Sequence, residues 1–479
     1  MIAVSLAEVA SATGGRLAGG AGPGTTVTGP VVVDSRLAQP GALFVALPGE
    51  HADGHAFADA AVRAGAVAVL AGQEVGVPCV VVDDQRAALA ALARHVVDRL
   101  SELTVVAVTG SSGKTGTKDL LALLLSDRGP TIAPQGSFNN EIGLPLTALR
   151  CDGSTRFLVA EMGARMPGNI AYLCRITPPD VAVVLNVGAA HAGVFGSREQ
   201  TARTKAELPG ALPDGGVAVL NADDPLVAAM AEGTRGRVVR FGLGPDADVR
   251  AEDVRLDGWS RPSFTLRSPG GEARVSLPLY GEHHVGNALA AAAVALETGT
   301  TPTRVAELLA QARPASRWRM EVTTRADGVT VINDAYNANP DSVRAALKAL
   351  AAMGRPDDGP RRRTWAVLGE MLELGETALA EHDAVGRLAV RLDVSRLLAV
   401  GAGARAVHTG ASHEGSWGEE SAWVPDADAA LEVLRADLRP GDVVLVKASR
   451  SIGLDAVATA LLADVAAPGD RVAAPGGVA

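Results

Sequence analysis

The sequence predicts an α/β protein of three domains, and three observations support this fold class. The chain has 479 residues, enough for about three domains of ordinary size. Short apolar runs alternate with helical stretches along the chain, which is typical of α/β folds. The runs also form three groups. They predict a small N-terminal α/β domain, a central parallel-sheet domain, a C-terminal Rossmann-like domain and a disordered tail, over residues 1–100, 101–314, 315–466 and 467–479.

The N-terminal domain starts with a helix and continues with short strands. Ser5-x-x-Glu8 is a capping box for that helix, and Gly14-Gly15 marks its end. Four β-rich runs separated by helical stretches follow, and they cover residues 31–36, 42–47, 66–72 and 77–84.

The central domain carries continuous apolar runs that predict a buried parallel sheet. Strands covered by helices on both faces lose the polar alternation of half-exposed strands. The runs are residues 105–110, 157–162, 181–187 and 216–222. An alanine-rich helix from Asn287 to Glu297 closes the domain.

The C-terminal domain repeats the rhythm of strands and helices, with runs at residues 329–336, 364–371, 396–401 and 443–449. The segment GAGARA, after the third run, also fits a dinucleotide-binding pattern, so an NAD-linked oxidoreductase is a rival function. A lone glycine pattern is weak evidence, and no clear acidic partner for the ribose follows it. A Rossmann-like sheet without that cofactor is the better interpretation.

Composition narrows the class of function and the compartment. A net charge of −10 argues against broad binding to nucleic acid or anionic membranes. Cys79, Cys151 and Cys174 are too scattered for a disulfide framework or a zinc site, and they fit a reducing cytosol. The N-terminus lacks a signal-peptide pattern, and no apolar run approaches the ~18 residues that span a bilayer. We therefore expect a cytoplasmic protein without membrane insertion.

The segment VAVTGSSGKTGTK, residues 106–118, predicts a phosphate-binding loop. An apolar strand leads into small residues, and Gly-Lys-Thr opens a helix, so backbone N–H groups and the helix dipole favour an anion. A Walker A motif would have its first glycine at Val108. The first glycine here is Gly110, which makes the loop shorter. We expect Lys114 to reach the terminal phosphates and Thr115 to bind Mg²⁺.

Polar residues that end the next strands predict a metal site beside this loop. Glu161 ends the second central run, and Asn186 and His191 follow the third. Ligands gather at the carboxyl ends of parallel strands, where such groups suit Mg²⁺. Taken alone, each is more commonly a cap or a surface group. Lys205 alone is an ordinary solvated lysine, although near two Mg²⁺ ions its neutral amine can add CO₂ and form a carbamate ligand.

A series of motifs in one order carries a resemblance to a known family. The first domain has DSRLAQPGALFVALPGEHADGHAFADAAVRAGA (34–66). The central domain has TGSSGKT, FNNEIGLPLTAL (138–149), EMGARMPGNIAYL (161–173), NVGAAHAGVFGS (186–197), Lys205-x-Glu207 and GEHHVGNALAA (281–291). The third has SRWRMEV (316–322), NDAYNANPDS (333–342), VLGEMLELGETALAEHDAVG (367–386) and GDVVLVKASRSIGLD (441–455). Over nearly its whole length the chain resembles the Mur ligases, the ATP-dependent amide-forming enzymes of peptidoglycan assembly.

The resemblance implies ATP and two Mg²⁺ ions as cofactors. Gly110, Ser111, Ser112, Gly113, Lys114, Thr115 and Gly116 would hold the triphosphate, Asn287 would contact adenine, and Arg319 and Asp334 would close from the third domain. Thr115 and Glu161 would bind one ion, and Glu161, His191 and carbamylated Lys205 the second. Lys114, Glu161, His191 and Lys205 would form the catalytic group.

The substrates follow from the resemblance to the branch of the family that adds D-alanyl-D-alanine to UDP-MurNAc-tripeptide through an acyl-phosphate. The N-terminal domain would be the UDP-binding domain. Asp34, Ser35, Arg36, Asn139 and Asn140 would contact the UDP-sugar peptide. Met371, Glu373, Lys447, Ser449 and Arg450 would contact the dipeptide. We expect a monomer without a nucleic-acid partner.

One residue departs from the pattern of this family, and one missing motif discriminates between its branches. Ala448 stands where the family usually has glycine, which bears on how tightly its loop packs. The Asp-Asn-Pro-Arg tetrapeptide of diaminopimelate- or lysine-adding members is absent from the sequence. A folate polyglutamylating ligase shares the phosphate loop, but the first domain argues against it. The presence of Lys114, Glu161, His191 and Lys205 argues against a nucleotide-binding subunit without activity.

Overall fold

Three large β-sheets, each formed by one stretch of the chain, build the protein. The computed structural model describes residues 1–49, 52–188, 197–356, 359–416 and 418–464. The sheets have five, nine and six strands, and helices lie between most parallel strands. The three-domain α/β fold class is confirmed. The exact domain boundaries stay a prediction, and the predicted tail lies outside the described residues.

The first sheet has four parallel strands and one antiparallel edge strand. Its stretch contains β1 Val4–Ser5, α1 Leu6–Thr13, β2 Arg16–Ala18, β3 Thr26–Val27, β4 Val31–Val32, β5 Leu43–Val45, α2 Ala58–Arg63, β6 Ala68–Ala71, β7 Cys79–Val81 and α3 Gln85–Asp98. The strand order is β2-β7-β6-β5-β4. The predicted capping box is present, because Ser5 Oγ accepts from Glu8 N–H at 3.2 Å and Glu8 Oε2 accepts from Ser5 N–H at 2.8 Å.

The central sheet is parallel apart from a three-stranded antiparallel meander at one edge. Its stretch contains β8 Thr104–Thr109, α4 Lys114–Ser126, β9 Thr131–Ile132, α5 Gly143–Ala148, β10 Phe157–Glu161, α6 Asn169–Ile176, β11 Val181–Val184, α7 Arg198–Gly210, β12 Val217–Asn221, α8 Pro225–Ala228, β13 Arg237–Gly242, β14 Val249–Leu256, β15 Pro262–Ser268, β16 Gly271–Ser276, α9 His284–Glu297 and α10 Pro302–Leu309. Helix α9 is the predicted alanine-rich helix, and it begins at His284, three residues before the predicted start at Asn287.

Both faces of the central sheet are buried, as the continuous apolar runs predict. Val105 and Ala107 of β8 belong to one core cluster, while Val106 and Val108 belong to the cluster on the opposite face. Strand β8 lies between β10 and β11. The residues that follow these three strands therefore meet at one edge of the sheet.

The third sheet has the order β17-β18-β22-β19-β20-β21, with β17 antiparallel to β18. Its elements are β17 Glu321–Thr324, β18 Thr330–Asn333, α11 Pro340–Gly354, β19 Thr364–Leu368, α12 Ala378–Arg391, β20 Arg396–Val400, α13 Arg405–Glu414, β21 Ser421–Val424, α14 Ala427–Asp437, β22 Val443–Lys447 and α15 Asp455–Ala463. Trp259 and Tyr280 of the central stretch pack against its core. Within the described ranges, no helix is long and apolar enough to cross a bilayer.

Candidate active site

The predicted phosphate loop connects β8 to α4. Gly113 adopts a φ of 82° directly before α4 begins at Lys114. A Cβ at Gly113 would lie 2.6 Å from Asn287 Oδ1, and a Cβ at Gly110 would lie 2.9 Å from Leu185 Cβ. The loop therefore packs so closely against α9 and the end of β11 that both positions suit only glycine.

Asn186 braces the first half of this loop. Its Oδ1 accepts from the N–H groups of Ser111 and Ser112, each at 3.0 Å, and its Nδ2 donates to Ser112 O at 3.2 Å. The N–H groups from Gly113 to Gly116 meet no acceptor within the described part of the chain. These four groups at the start of α4 are therefore the free donors for a phosphate. The expectation that all seven loop residues contact phosphate stays a prediction.

Lys114 folds back over the loop, because its Nζ donates to Gly110 O at 2.7 Å. Burial lowers the pKa of Lys114, Glu161 opposes that effect, and the Arg319 guanidinium adds to it. Arg319 belongs to the third stretch of the chain, so its charge acts on the phosphate loop from across the active-site cleft.

Glu161 ends β10 and is fully buried. Its Oε1 accepts hydrogen bonds from Ser137 Oγ at 2.6 Å and Asn139 Nδ2 at 2.8 Å. Its Oε2 is buried and has no partner among the described residues. A carboxylate oxygen left bare in this way suits Mg²⁺, which takes few protein oxygens and completes its shell with water and phosphate.

The remaining predicted metal ligands differ in what the structure records of them. Thr115 is buried in the first turn of α4, next to the free N–H groups. His191 lies outside the described residues. Within the described ranges, no three His, Cys, Asp or Glu side chains come together as a metal site. The fit for Mg²⁺ therefore rests on the bare oxygen of Glu161.

Lys205 lies on α7 and is only 5% exposed. Burial and, second, repulsion by Lys114 place its pKa well below the ordinary value. The neutral amine is the form that can react with CO₂, so its environment suits the carbamate that the resemblance implies.

The residues predicted at the nucleotide come from two stretches of the chain. Asn287 is 7% exposed, and its side chain lies directly over Gly113 and Gly116. Arg319 stacks on the Tyr336 ring at 4.2 Å, and its buried Nε has no partner among the described residues. Asp334 is already engaged, since its Oδ2 pairs with Lys447 Nζ at 2.6 Å.

The backbone beside Arg319 is unusual. Trp318 and Met320 have φ values of 58° and 49°, in the left-handed region that residues other than glycine seldom adopt. Met320 N–H donates to Asp334 Oδ1 at 3.0 Å. These backbone conformations on either side of Arg319 were not predicted from the sequence.

The five residues predicted at the dipeptide divide into buried and exposed ones. Lys447 pairs with Asp334, and Ser449 Oγ accepts from Leu372 N–H at 2.9 Å. Met371 is 2% exposed, and its N–H donates to a histidine ring. These three residues are therefore engaged in contacts within the third domain.

Glu373 and Arg450 are more accessible. Glu373 pairs across the domains with Arg165 at 3.3 Å. Arg450 stacks on the Trp318 ring at 4.0 Å and pairs with Asp455 at 3.1 Å. These two are therefore the charged residues of the predicted set whose side chains are accessible.

The residues predicted at the UDP-sugar peptide include a self-paired motif in the first domain. Asp34 and Arg36 form an ion pair at 2.7 Å, and Ser35 starts a short 3-10 turn between them. Asn140 caps the start of α5, since its Oδ1 accepts from Gly143 N–H at 2.9 Å.

A cavity of about 420 Å³ separates the phosphate loop from the first turn of α11. Arg344 lines it and pairs with Asp341 at 3.1 Å and Glu381 at 2.7 Å. Arg198, on the opposite side, donates to Val187 O at 2.8 Å. Sequence reasoning missed this charged lining, because its residues lie far apart in the chain and belong to no catalytic pattern.

The GAGARA segment packs against a carboxylate. A Cβ at Gly403 would lie 2.0 Å from Glu370 Cδ, so the Glu370 carboxylate lies against the backbone that a pyrophosphate would approach. Two like charges there would repel, which disfavours the NAD-linked rival. In a related way, the Cβ of Ala448 fits because the facing residue is Gly369, where a Cβ would lie only 2.7 Å away.

Comparisons with known proteins agree with this geometry. Residues 30–100, 108–295 and 318–450 match, in order, the Mur ligase family catalytic domain, the Mur ligase middle domain and the Mur ligase glutamate ligase domain. A relative from Mycobacterium tuberculosis, named UDP-N-acetylmuramoyl-tripeptide–D-alanyl-D-alanine ligase, is 53% identical over 97% of this chain and 98% of its own length.

Solved structures give the same result. MurF from Acinetobacter baumannii superposes with a TM-score of 0.84 at 32% identity, covering 95% of this chain and 98% of that one. MurF ligase from Thermotoga maritima in complex with ADP superposes with a TM-score of 0.78 at 30% identity, covering 92% and 98%. Matches of this extent, in chain order and in three dimensions, show that the chain belongs to the Mur ligase family.

Proposed function

We propose that this protein joins D-alanyl-D-alanine to UDP-MurNAc-tripeptide at the expense of ATP, giving UDP-MurNAc-pentapeptide, ADP and phosphate. The observation that carries the proposal is the full-length similarity to relatives whose names state this reaction. We propose that the reaction takes place in the cytoplasm, in the synthesis of the peptidoglycan precursor. We also propose that the protein acts as a monomer.

The chemistry requires an activated carboxylate, because an amine does not displace oxygen from a carboxylate in neutral water. An oxygen of the tripeptide's terminal carboxylate attacks the γ-phosphorus of ATP, the bond to the β–γ bridging oxygen breaks, and ADP leaves. The neutral amine of the dipeptide then attacks the acyl carbon. The bond from that carbon to the phosphate oxygen breaks, phosphate leaves, and the amine gives up one proton.

The residues of the phosphate loop stabilise the negative charge that is brought together when the carboxylate attacks ATP. We propose that the β- and γ-phosphates of ATP bind the four free N–H groups from Gly113 to Gly116 and the Lys114 ammonium, since those N–H groups have no other acceptor among the described residues. Glu161 Oε2 and the Thr115 hydroxyl would hold Mg²⁺, which neutralises phosphate charge when bound. We propose that Glu161, His191 and the carbamate of Lys205 hold a second ion. Asn287 and Arg319 then fix the nucleotide between the domains.

The two peptide substrates approach from different domains. We propose that Asp34, Ser35, Arg36 and Asn140 border the UDP-sugar peptide. For the dipeptide, Glu373 and Arg450 supply charged groups, whereas Met371, Lys447 and Ser449 shape the loops behind them. Closing the domains would exclude water, which otherwise hydrolyses an acyl-phosphate.

The proposal is tested by supplying UDP-MurNAc-tripeptide, D-alanyl-D-alanine, ATP and Mg²⁺ to the purified protein. We expect phosphate release that needs all four components, and mass spectrometry should show the UDP-MurNAc-pentapeptide. Incorporation of free diaminopimelate or lysine, without incorporation of the dipeptide, would refute the assignment within the family.

A further inference from the structure

The loop before α5 holds the Glu161 carboxylate by a small hydrogen-bond cluster. Ser137 Oγ donates to Glu161 Oε1 at 2.6 Å. Asn139 Nδ2 donates to the same oxygen at 2.8 Å and to Ser137 Oγ at 2.9 Å. Both hydrogens of the Asn139 amide nitrogen are therefore used inside the protein, and only its carbonyl oxygen remains for another partner.

This cluster makes the two oxygens of Glu161 unequal. Oε1 accepts two neutral donors, whereas Oε2 is buried without a partner among the described residues. A free glutamate rotates easily about its last bond, so either oxygen could point to a metal. With Oε1 held by two neutral donors, only Oε2 is presented to a metal.

The loop itself is held by contacts that leave little freedom. Gly163 N–H donates to Asn139 O at 2.8 Å. A Cβ at Gly163 would lie 3.0 Å from Asn139 Cγ, and a Cβ at Gly143 would lie 2.7 Å from Phe138 Cα. Two glycines thus allow the loop to lie close enough to β10 for Asn139 to reach Glu161.

We propose that Ser137 and Asn139 are positioning residues that aim Glu161 Oε2 at the metal, and that Asn139 acts through Glu161 instead of contacting the UDP-sugar peptide. The neighbouring asparagines of the FNN motif then have separate tasks. Asn139 orients a metal ligand, and Asn140 caps α5. The proposal depends on the proposed function in one respect, namely that a metal ion binds beside the nucleotide.

The test measures metal binding without any peptide substrate. Mn²⁺ is titrated into the ADP-saturated protein, and the free ion is followed by its electron paramagnetic resonance signal. We expect Ser137→Ala and Asn139→Ala each to weaken Mn²⁺ binding by about 10-fold, the lower end for residues that orient metal ligands. Ser137→Thr keeps the hydroxyl and should restore wild-type affinity. Ser154→Ala, in the exposed loop that precedes β10, is the matched control and should leave Mn²⁺ affinity unchanged.

Steady-state kinetics separates the two roles of Asn139. For a positioning residue, Asn139→Ala raises the Mg²⁺ concentration needed for half-maximal rate and leaves the KM for UDP-MurNAc-tripeptide unchanged. A raised KM for that substrate with wild-type Mn²⁺ affinity would overturn the inference, as would wild-type Mn²⁺ affinity in both alanine variants. If Asn139→Ala fails to fold, the pair Ser137→Ala and Ser137→Thr decides alone. The Mn²⁺ measurement needs no acceptor, so it stands even if the proposed ligation is wrong.

Discussion

Replacing Gly113 with alanine should weaken nucleotide binding by an amount that the structure allows us to work out. Gly113 has a φ of 82°, and an L-residue in the left-handed region costs about 1–2 kcal/mol. The new Cβ would also lie 2.6 Å from Asn287 Oδ1, closer than ordinary contact allows. Without nucleotide the loop can relax to avoid both penalties, but binding requires the original conformation.

The penalty should therefore appear in the affinity for nucleotide. A loss of about 1–2 kcal/mol corresponds to a factor of about 5–30 in an equilibrium constant. We expect the Kd for ADP in the presence of Mg²⁺ to rise by this factor, measured by isothermal titration calorimetry.

The matched control is Gly286→Ala on α9. A Cβ there meets nothing within 4 Å, and its φ lies outside the left-handed region, so alanine should be tolerated and should leave the Kd unchanged. The reasoning is refuted if folded Gly113→Ala binds ADP as tightly as the wild-type protein. It is equally refuted if Gly286→Ala weakens binding by the same factor.

Three further predictions concern other parts of the structure. Lys205→Ala should nearly abolish phosphate release, with partial rescue by a short carboxylic acid that replaces the carbamate; a fully active variant would contradict this role. Asn186→Ala removes the hydrogen bonds that hold the phosphate loop and should weaken ADP binding by about 5-fold, since one hydrogen bond contributes about 1 kcal/mol; calorimetry showing wild-type affinity would rule this out. Gly386→Ala places a Cβ 1.9 Å from Val407 O between α12 and α13, and overpacking should lower the free energy of unfolding by about 3 kcal/mol in urea denaturation. A decrease in the free energy of unfolding of less than about 1 kcal/mol would show that α12 and α13 can move apart and admit the methyl group.

Local pattern was sufficient for most of the fold. The continuous apolar runs predicted β8, β10, β11 and β12, because strands buried on both faces need apolar side chains at every position. The capping box at Ser5 and Glu8 was predictable for a similar reason, since its two hydrogen bonds join residues three apart. The start of the alanine-rich helix was missed by three residues, because helix ends depend on weak capping preferences.

Sequence by itself, with the family resemblance that it carries, predicted the kinds of group at the candidate active site: the loop with Lys114 and Thr115, the carboxylate of Glu161 and the amine of Lys205. Only the tertiary structure decided how each group is used. One oxygen of Glu161 accepts hydrogen bonds, and the other has no partner among the described residues. Asn186 holds the first half of the phosphate loop by hydrogen bonds, and Glu370 packs against the GAGARA segment. Lys205 is buried beside another cation. The physical reason is that hydrogen bonds and burial depend on distances between residues far apart in the chain, which a local pattern does not contain.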